Sequence, residues 1–478
     1  MTLRRQTTSA AFWQILARGA DRGLRFLASL VLARLLAPED FGLLAATMMV
    51  AGIIETVSYL GIDQAVVQSS RSDDPRFLGA AFRVQAVRGT LIALATALLS
   101  PVAAWYFEDP AVRTMVLLIA ASPLCAGLEN PWMFVERKHL RFKPISMAAV
   151  AGACAQVATS VGGAYAGLGA PALALGFVAS SAVTVATGWI LVPRRLDLAR
   201  DPAAAGELRG FAQRAAGVPF LIMLSNSAPS LILGRVAGLP VLGIYSLAQR
   251  LCSLPSEIAL PIFGTVLTPA YAGIRDDTAR VRRIWVRTLT GVSLLVTPVV
   301  SALVALDERL PRVLYGEKYT GSAGLVSMIA VAALVSSVTS CCGPMFWGLG
   351  RPEIDRRSLV IRVVLIALLA PPAAWYGGQT PYGAATVFAA SVVVALAVGL
   401  VYCLHVARRM VGARRREVAR AFVPGALAGG LVLALALTAR EACLRFGAGD
   451  ATMVFAVLAL AGASMLAAGY ALKRGALG

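Results

Sequence analysis

Four polar side chains near the N-terminus are spaced so that they share one face of a helix. Gln14, Arg18, Asp21 and Arg25 follow one another at helical intervals, and Arg22 lies beside them. A guanidinium group stays charged and donates hydrogen bonds in a fork that matches phosphate oxygens. This polar face can therefore bind a phosphate-bearing anion. The alternative is an internal ladder of ion pairs, in which Asp21 holds the arginines for helix packing.

The depth of these arginines depends on the apolar run that carries them, which we expect to begin near residue 11. At about 1.5 Å of rise per residue, Arg18 lies about 10 Å and Arg25 about 21 Å into that helix. Arg18 can extend its side chain to an interface, whereas Arg25 is too deep to do so easily. A charged residue within a membrane span is a candidate for function.

Other ionisable residues also fall within apolar runs. Arg250 is near the middle of its run and is a second candidate for substrate contact, with Glu257 or Glu55 as an alternative ion-pair partner. Asp21, Glu55 and Glu257 are candidates for ion coupling, and for each of them the alternative is a buried partner of an arginine. Arg88 belongs to the same group of charged residues within spans.

Composition determines the fold class in which these residues must be positioned. The 478 residues are 58% hydrophobic and 14% charged, whereas a soluble domain carries about 25% charged residues. The mean hydropathy is +0.74. Apolar runs of about 20 residues cross a hydrocarbon core as helices, because backbone groups in lipid must be satisfied within the segment. The sequence predicts an all-α polytopic protein of the inner-membrane type.

We predict fourteen transmembrane helices. The expected spans are residues 11–36, 41–66, 78–106, 111–134, 145–168, 170–193, 211–236, 241–270, 285–306, 323–349, 357–377, 382–406, 419–440 and 451–472. Basic residues concentrate in alternate loops, for example 136–143, 193–200, 275–283 and 407–416. The positive-inside rule then places both termini in the cytoplasm.

The net charge of +19 comes from the same basic loops. Its excess lies in the cytoplasmic loops, where it orients the chain and attracts anionic headgroups of the phospholipid bilayer. A nucleic-acid-binding protein would gather such charge on a folded soluble face with stacking aromatic residues. We therefore expect no nucleic acid among the partners.

Two regions of the chain resemble each other at an offset of 201 positions. Leu32, Arg34, Gly42 and Leu43 correspond to Leu233, Arg235, Gly243 and Ile244. This repeat predicts a duplicated membrane protein, which we divide into an N-terminal lobe at 1–200, a C-terminal lobe at 201–410 and a helix pair at 411–478. At the same offset Arg25 falls opposite Asn226, so the charge of the face is confined to the first lobe.

Several other features point to structure more than to catalysis. The seven cysteines lie in or beside apolar runs without metal-ligand spacing, and His139 and His405 make no metal site. In the turn Pro38-Glu39-Asp40 the proline opens a helix and the acids complement its N-terminus. No GxxxxGK[ST] sequence is present, so nucleotide hydrolysis through a P-loop is excluded. We expect no enzyme activity, no cofactor and no metal.

Motifs along residues 10 to 410 resemble the polysaccharide-exporter (Wzx-type) flippases. They are ARLLAPEDFGLLA, GIDQAVVQ, ERKHLRFKPI, GLGAPALALG and LYGEKYTGSAGLV with WGLGRPE. That family belongs to the multidrug/oligosaccharidyl-lipid/polysaccharide exporter superfamily. The resemblance implies two pseudo-symmetric six-helix lobes around a central cavity that works by alternating access. In the lipid II flippases of the superfamily, two extra C-terminal helices line a groove for the lipid tail.

The resemblance implies an undecaprenyl-diphosphate-linked oligosaccharide as cargo, with other membrane proteins of polysaccharide assembly as further partners. The expected residues of the substrate cavity are Gln14, Arg18, Arg22, Arg25, Gln64, Arg88, Asn226 and Arg250. Gln64 and Asn226 are suited to hydrogen bonds with sugars, although polar contacts between helices explain them equally well.

Two other classes of function remain open. A drug or cation antiporter of the same superfamily would share the fold but should carry acidic and aromatic residues in its cavity, which the arginines of the first span argue against. A membrane glycosyltransferase or polysaccharide polymerase should show a large periplasmic loop. The longest candidate here is residues 307–321.

Overall fold

Helices make up all the regular structure that is described. The computed structural model describes residues 3–58, 61–215, 218–319, 324–376, 381–446 and 450–475, and no strand occurs in these ranges. Within them, nine helices are long and apolar enough to cross a membrane, and Phe220–Val236 and Asp450–Ser464 are shorter apolar helices. The all-α, multi-pass membrane class is therefore confirmed, while the count of fourteen spans stays a prediction.

The chain divides into two compact units, Met1–Leu224 (unit 1) and Ser225–Gly478 (unit 2). The proposed limits of 1–200, 201–410 and 411–478 stay a prediction. The helices of unit 1 are α1 (Leu3–Leu35), α2 (Pro38–Val57), α3 (Ile62–Gln68), α4 (Pro75–Phe107), α5 (Pro110–Ile119), α6 (Ala121–Gly127), α7 (Trp132–Lys138), α8 (Phe142–Tyr165), α9 (Ala170–Leu191) and α10 (Pro202–Ala215). Helix α11 (Val218–Val236) contains the boundary.

Unit 2 continues with helices of mixed length. They are α12 (Leu239–Ala272), α13 (Thr278–Ala305), α14 (Arg309–Tyr315), a 3₁₀ turn (Glu317–Tyr319), α15 (Leu325–Ser340), α16 (Gly343–Gly348), α17 (Pro352–Tyr376), α18 (Pro381–Met410), α19 (Arg415–Phe446) and α20 (Asp450–Gly475). The predicted loop 307–321 thus contains a short helix and a 3₁₀ turn.

Two of the predicted spans in unit 1 are interrupted. The span expected at 41–66 ends as α2 at Val57 and restarts as α3 after Gly61, whose φ of 60° is a left-handed value that glycine adopts readily. The span expected at 111–134 consists of α5, α6 and the separate helix α7. At these breaks, the loop residues Gly61 and Glu129 lie close to α4 inside unit 1.

Small residues allow the helices of unit 1 to approach closely. A Cβ at Gly152 of α8 would lie 2.0 Å from Thr184 Oγ1 of α9, and one at Gly176 of α9 would lie 1.9 Å from Ser160 Oγ of α8. Between α4 and α6, a Cβ at Gly89 would lie 2.7 Å from Gly127 Cα. Close approach through small residues is the usual packing of membrane helices.

The segment 193–201 between α9 and α10 is tied to the start of α4. Arg76 Nε lies 2.7 Å from Asp197 Oδ2, and Arg71 Nη2 lies 2.6 Å from Asp201 Oδ2. Backbone hydrogen bonds from Ala199 to Asp197 and from Ala204 to Asp201, together with these arginines, hold the pKa of both aspartates below its usual range. A Cβ at Gly79 would lie 1.9 Å from the carbonyl oxygen of Asp197, so the segment rests directly on α4.

In unit 2 the C-terminal helices pack onto the rest of the unit. A Cβ at Gly425 of α19 would lie 2.1 Å from Ser293 Oγ of α13. At the start of α20, Asp450 forms ion pairs with Arg309 at 3.4 Å and with Arg312 at 3.6 Å, both residues of α14. The two helices of the predicted C-terminal pair, α19 and α20, therefore each contact the rest of unit 2.

Candidate functional site

Helix α1 packs against α8, and Arg25 on its polar face reaches α9. Arg25 Nε donates to Asp21 Oδ1 at 2.8 Å, one turn earlier, and Arg25 Nη2 donates to Ser180 Oγ at 3.3 Å. The neighbouring Ser181 shares a hydrogen bond of 2.6 Å with Ser122 of α6, which fixes α9 at this level. The side chains of Arg25 and Asp21 are 33% and 28% exposed. Water or a polar ligand can therefore reach the pair.

This cluster lies about 15 Å from one end of each of the two helices that carry it. Helix α1 begins at Leu3, earlier than expected, so depth is better measured from its other end at Leu35. Arg25 is about 15 Å from Leu35, and Ser180 is about 15 Å from the start of α9 at Ala170, which is half of a hydrocarbon core of about 30 Å. Arg18 is exposed and about 25 Å from Leu35.

The other residues predicted for unit 1 are placed as follows. Arg22 is half-buried on α1, and Gln64 is exposed on α3. Gln14 belongs to α1, but its side chain lies outside the described part of the structure. The structure thus brings Asp21 and Arg25 together. The role of the predicted residues of unit 1 in binding substrate stays a prediction.

A polar cavity of about 220 Å³ lies elsewhere in unit 1, among α2, α3, α4, α6 and α7. Of the predicted residues, Glu55 and Arg88 line it. Arg88 Nε donates to the carbonyl oxygen of Ser58 at 2.7 Å, and Arg88 Nη2 donates to that of Glu55 at 3.1 Å. Arg88 therefore helps to cap the end of α2, where Ser58 Oγ also donates to the carbonyl oxygen of Glu55 at 3.0 Å.

Sequence reasoning missed the other charged residues of this cavity. Asp63 and Arg137 line it and form an ion pair at 3.4 Å, and Glu129 lies beside them. Loss of hydration raises the pKa of Glu129 to about 6, with Arg137 opposing the rise and Asp63 adding to it. Gln85 is buried there, and its Oε1 has no hydrogen-bond partner among the described residues. The available signal was a lone carboxylate, Glu129, within the span expected at 111–134.

The predicted residues of unit 2 are more dispersed. Asn226 is exposed on α11 and Arg250 is exposed on α12. Glu257 belongs to α12, but its side chain lies outside the described part of the structure. Their predicted roles in sugar or diphosphate contact and in ion coupling are not tested by this geometry.

Unit 2 also contains an arginine that the sequence did not single out. Arg362 of α17 packs against α18, where a Cβ at Gly399 would lie 2.6 Å from Arg362 Cγ. Its Nε is buried and has no hydrogen-bond partner within the described ranges. The available signal was an arginine a few residues inside the span expected at 357–377.

Comparison with known proteins supports a transport family. The profile of the family described as "Polysaccharide biosynthesis protein" matches residues 31–324. The chain is 25% identical over 381 residues to the lipopolysaccharide biosynthesis protein WzxC of Escherichia coli (strain K12), covering 79% of this chain and 76% of that protein. It is 24% identical over 364 residues to the succinoglycan biosynthesis transport protein ExoT of Rhizobium meliloti (strain 1021), covering 74% and 71%.

Two solved structures share the fold. The lipid II flippase MurJ in an inward closed conformation has a TM-score of 0.71 at 11% identity, covering 98% of this chain and 100% of that chain. A multidrug resistance MATE family transporter of the MOP superfamily, in an inward-facing conformation, has a TM-score of 0.63 at 15% identity, covering 81% and 95%. The expected fold is confirmed.

Proposed function

The chain belongs to the polysaccharide biosynthesis protein family, and from that premise we propose that it is an inner-membrane flippase. Its cargo is an undecaprenyl-diphosphate-linked oligosaccharide repeat unit, which it moves from the cytoplasmic to the periplasmic leaflet by alternating access. The product serves a surface polysaccharide such as O-antigen, capsule or exopolysaccharide. Both termini are cytoplasmic, in keeping with the distribution of basic loops. The role is transport, without bond chemistry.

The observation that supports this proposal is the cluster of Asp21, Arg25 and Ser180 in unit 1, in which Arg25 and Ser180 each lie about 15 Å from one end of their helix. A diphosphate crossing the membrane needs cationic partners where hydrocarbon would otherwise surround it. Arg25 uses two of its five N–H groups in the bonds to Asp21 and Ser180, so three remain for phosphate oxygens. Arg22 and Arg18 follow on the same helix toward the cytoplasm.

Asp21 has a defined part in this arrangement. An isolated guanidinium at mid-depth is expensive, and the neighbouring carboxylate offsets that cost while the site is empty. A diphosphate that approaches Arg25 compensates the same charge and allows the aspartate to take up a proton or cation. Asp21 is therefore the first candidate for coupling to an ion gradient, followed by Glu55 and Glu257.

The test is a deletion of the gene, complemented with variants of Arg25. In the deletion strain, complete lipid-linked repeat units should accumulate on the cytoplasmic leaflet and surface polysaccharide should be lost. Arg25→Ala should reproduce this phenotype at normal protein abundance. Arg25→Lys should restore part of the export, because lysine keeps the charge but loses the bidentate fork.

A matched control is Arg113→Ala, because Arg113 is exposed on the separate helix α5. It should export normally. Normal polymer in the deletion strain, with altered tolerance to drugs, would overturn the flippase proposal in favour of an antiporter. Normal export by both Arg25 variants would overturn the assignment of the site alone.

A further inference from the structure

An apolar groove of about 790 Å³ runs between α2 and α4 on unit 1. Helix α2 contributes Ile53 and Val57, and α4 contributes Val87, Leu91 and Leu99. Arg83 and Arg88 also line it, and both lie toward the N-terminal end of α4. The groove is thus apolar along its length, with basic residues toward one end.

The hydrogen bond from Arg88 to Ser58 fixes the depth of the groove. Helix α2 has 20 residues, from Pro38 to Val57, and spans about 30 Å, which is the thickness of a hydrocarbon core. Because Arg88 bonds to Ser58 at the end of α2, it lies at one boundary of that core. Arg83 is about 7 Å further out, at headgroup level, and Leu99 is about 17 Å further in, close to the midplane.

Arg83 provides a positive charge at headgroup level. Its Nη1 and Nη2 donate to the backbone carbonyls of Leu198 and Ala199, which are neutral acceptors. Asp197, next to these carbonyls, pairs with Arg76 at 2.7 Å and interacts with Arg83 only through longer-range attraction. Three N–H groups of Arg83 are not used in these two bonds, and a phosphate oxygen is a suitable acceptor for them.

We propose that this groove binds one anionic phospholipid of the cytoplasmic leaflet. One acyl chain lies along Val87, Leu91 and Leu99, and the headgroup phosphate contacts Arg83. The length of the groove from Arg88 to Leu99 corresponds to a single leaflet, which suits an acyl chain better than a long isoprenoid chain that extends past the midplane. The proposal depends on the cytoplasmic placement of the N-terminus and does not depend on the identity of the cargo.

The bound lipid has a structural consequence, because Arg83 contacts the headgroup and the segment 193–201 at once. That segment connects the membrane helices of unit 1 to α10. A phosphate on Arg83 orders its guanidinium and so stabilises the two bonds to Leu198 and Ala199. The composition of the leaflet thereby acts on the connection between α9 and α10.

The experiment is native mass spectrometry of the full-length protein, purified in detergent and titrated with phosphatidylglycerol or phosphatidylcholine. The wild type should retain one phosphatidylglycerol in preference to phosphatidylcholine. Leu91→Trp fills the groove and should weaken that binding about tenfold or more, since each buried CH₂ contributes substantially to affinity. Leu98→Trp is the matched control, because Leu98 is 76% exposed on α4 and does not line the groove.

The headgroup contact is tested separately. Arg83→Gln should abolish the preference for phosphatidylglycerol, and Arg83→Lys should keep most of it. Equal retention of both phospholipids by the wild type, or equal effects of Leu91→Trp and Leu98→Trp, would refute the proposal. Displacement of phosphatidylglycerol by undecaprenyl phosphate at equal concentration would assign the groove to an isoprenoid chain and refute it as well. Because the readout is lipid retention, its failure leaves the flippase proposal intact.

Discussion

Replacing Glu129 with glutamine should remove a pH dependence of stability that the polar cavity of unit 1 produces. The substitution keeps the shape of the side chain and removes its charge at every pH. Glu129 lies in the turn after α6, outside the membrane spans, and lines the cavity with Asp63 and Arg137. Its neighbours stay in place, so the change isolates the ionisation of one carboxyl group.

The magnitude follows from the pKa of Glu129. Desolvation raises it from 4.5 to about 6 in the folded protein, and a tenfold change in proton affinity corresponds to about 1.4 kcal/mol. The folded state binds the proton more tightly, so the stabilisation is fully present below pH 4.5 and is lost as the pH rises through about 6. The wild type should lose about 2 kcal/mol across this window, whereas Glu129→Gln should not.

The assay is unfolding of the purified protein at several values between about pH 4.5 and pH 7.5, followed by tryptophan fluorescence. The carboxylates of Asp197 and Asp201, whose pKa is lowered, titrate below this window and do not interfere. Glu207→Gln, at an exposed position on α10, is the control and should follow the wild type. Parallel curves for the wild type and Glu129→Gln would show that the cavity does not desolvate this carboxyl group.

Two predictions concern close backbone contacts. Gly425→Ala should destabilise unit 2 by about 1–3 kcal/mol, because the added methyl group overpacks α19 on α13. Gly430→Ala is the control and should not destabilise the unit, since nothing lies within 4 Å of its new Cβ. Thermal unfolding in detergent measures the stability of both variants. Gly79→Ala should push the segment 193–201 off α4, since its Cβ would lie 1.9 Å from the carbonyl oxygen of Asp197. Trypsin should then cleave that segment faster, while Gly206→Ala, with an open surrounding, should leave the rate unchanged.

The sequence predicted the fold class well because hydropathy reports directly on whether a helix can lie in lipid. It did not predict the breaks after Val57 and Gly127, because apolar residues on both sides of each break keep the average hydropathy of the run high, although Asp63 and Glu129 lie within the two expected spans. Hydropathy does not sense a left-handed φ such as that of Gly61. Hydropathy also did not reveal the short helix α14, which was predicted as part of a loop.

The candidate site could be predicted only where its residues are close together in the sequence. The pair of Asp21 and Arg25 follows from a spacing of four residues on one helix. Ser180, the other partner of Arg25, is 155 residues away in sequence, and no single-sequence pattern relates the two. The cavity around Glu129 likewise depends on the close approach of Gly89 and Gly127, which brings α4 and α6 together.

Arg25, Arg83 and Arg88 differ both in their depth along the helices and in the kind of partner that each has. Arg25, near mid-depth, bonds to a carboxylate, because a full charge there needs compensation by an opposite charge. Arg83 and Arg88, at or beyond the boundary of the hydrocarbon core, bond to neutral carbonyls, since water and headgroups supply the rest of their solvation.

Asp21→Asn should therefore lower the abundance of the protein, whereas loss of a carboxylate near Arg88 should not. It leaves Arg25 charged and uncompensated at mid-depth, so protein abundance should fall with Asp21→Asn and recover in the double variant with Arg25→Gln. Failure of the second substitution to restore abundance would show that Asp21 has a role other than compensating Arg25.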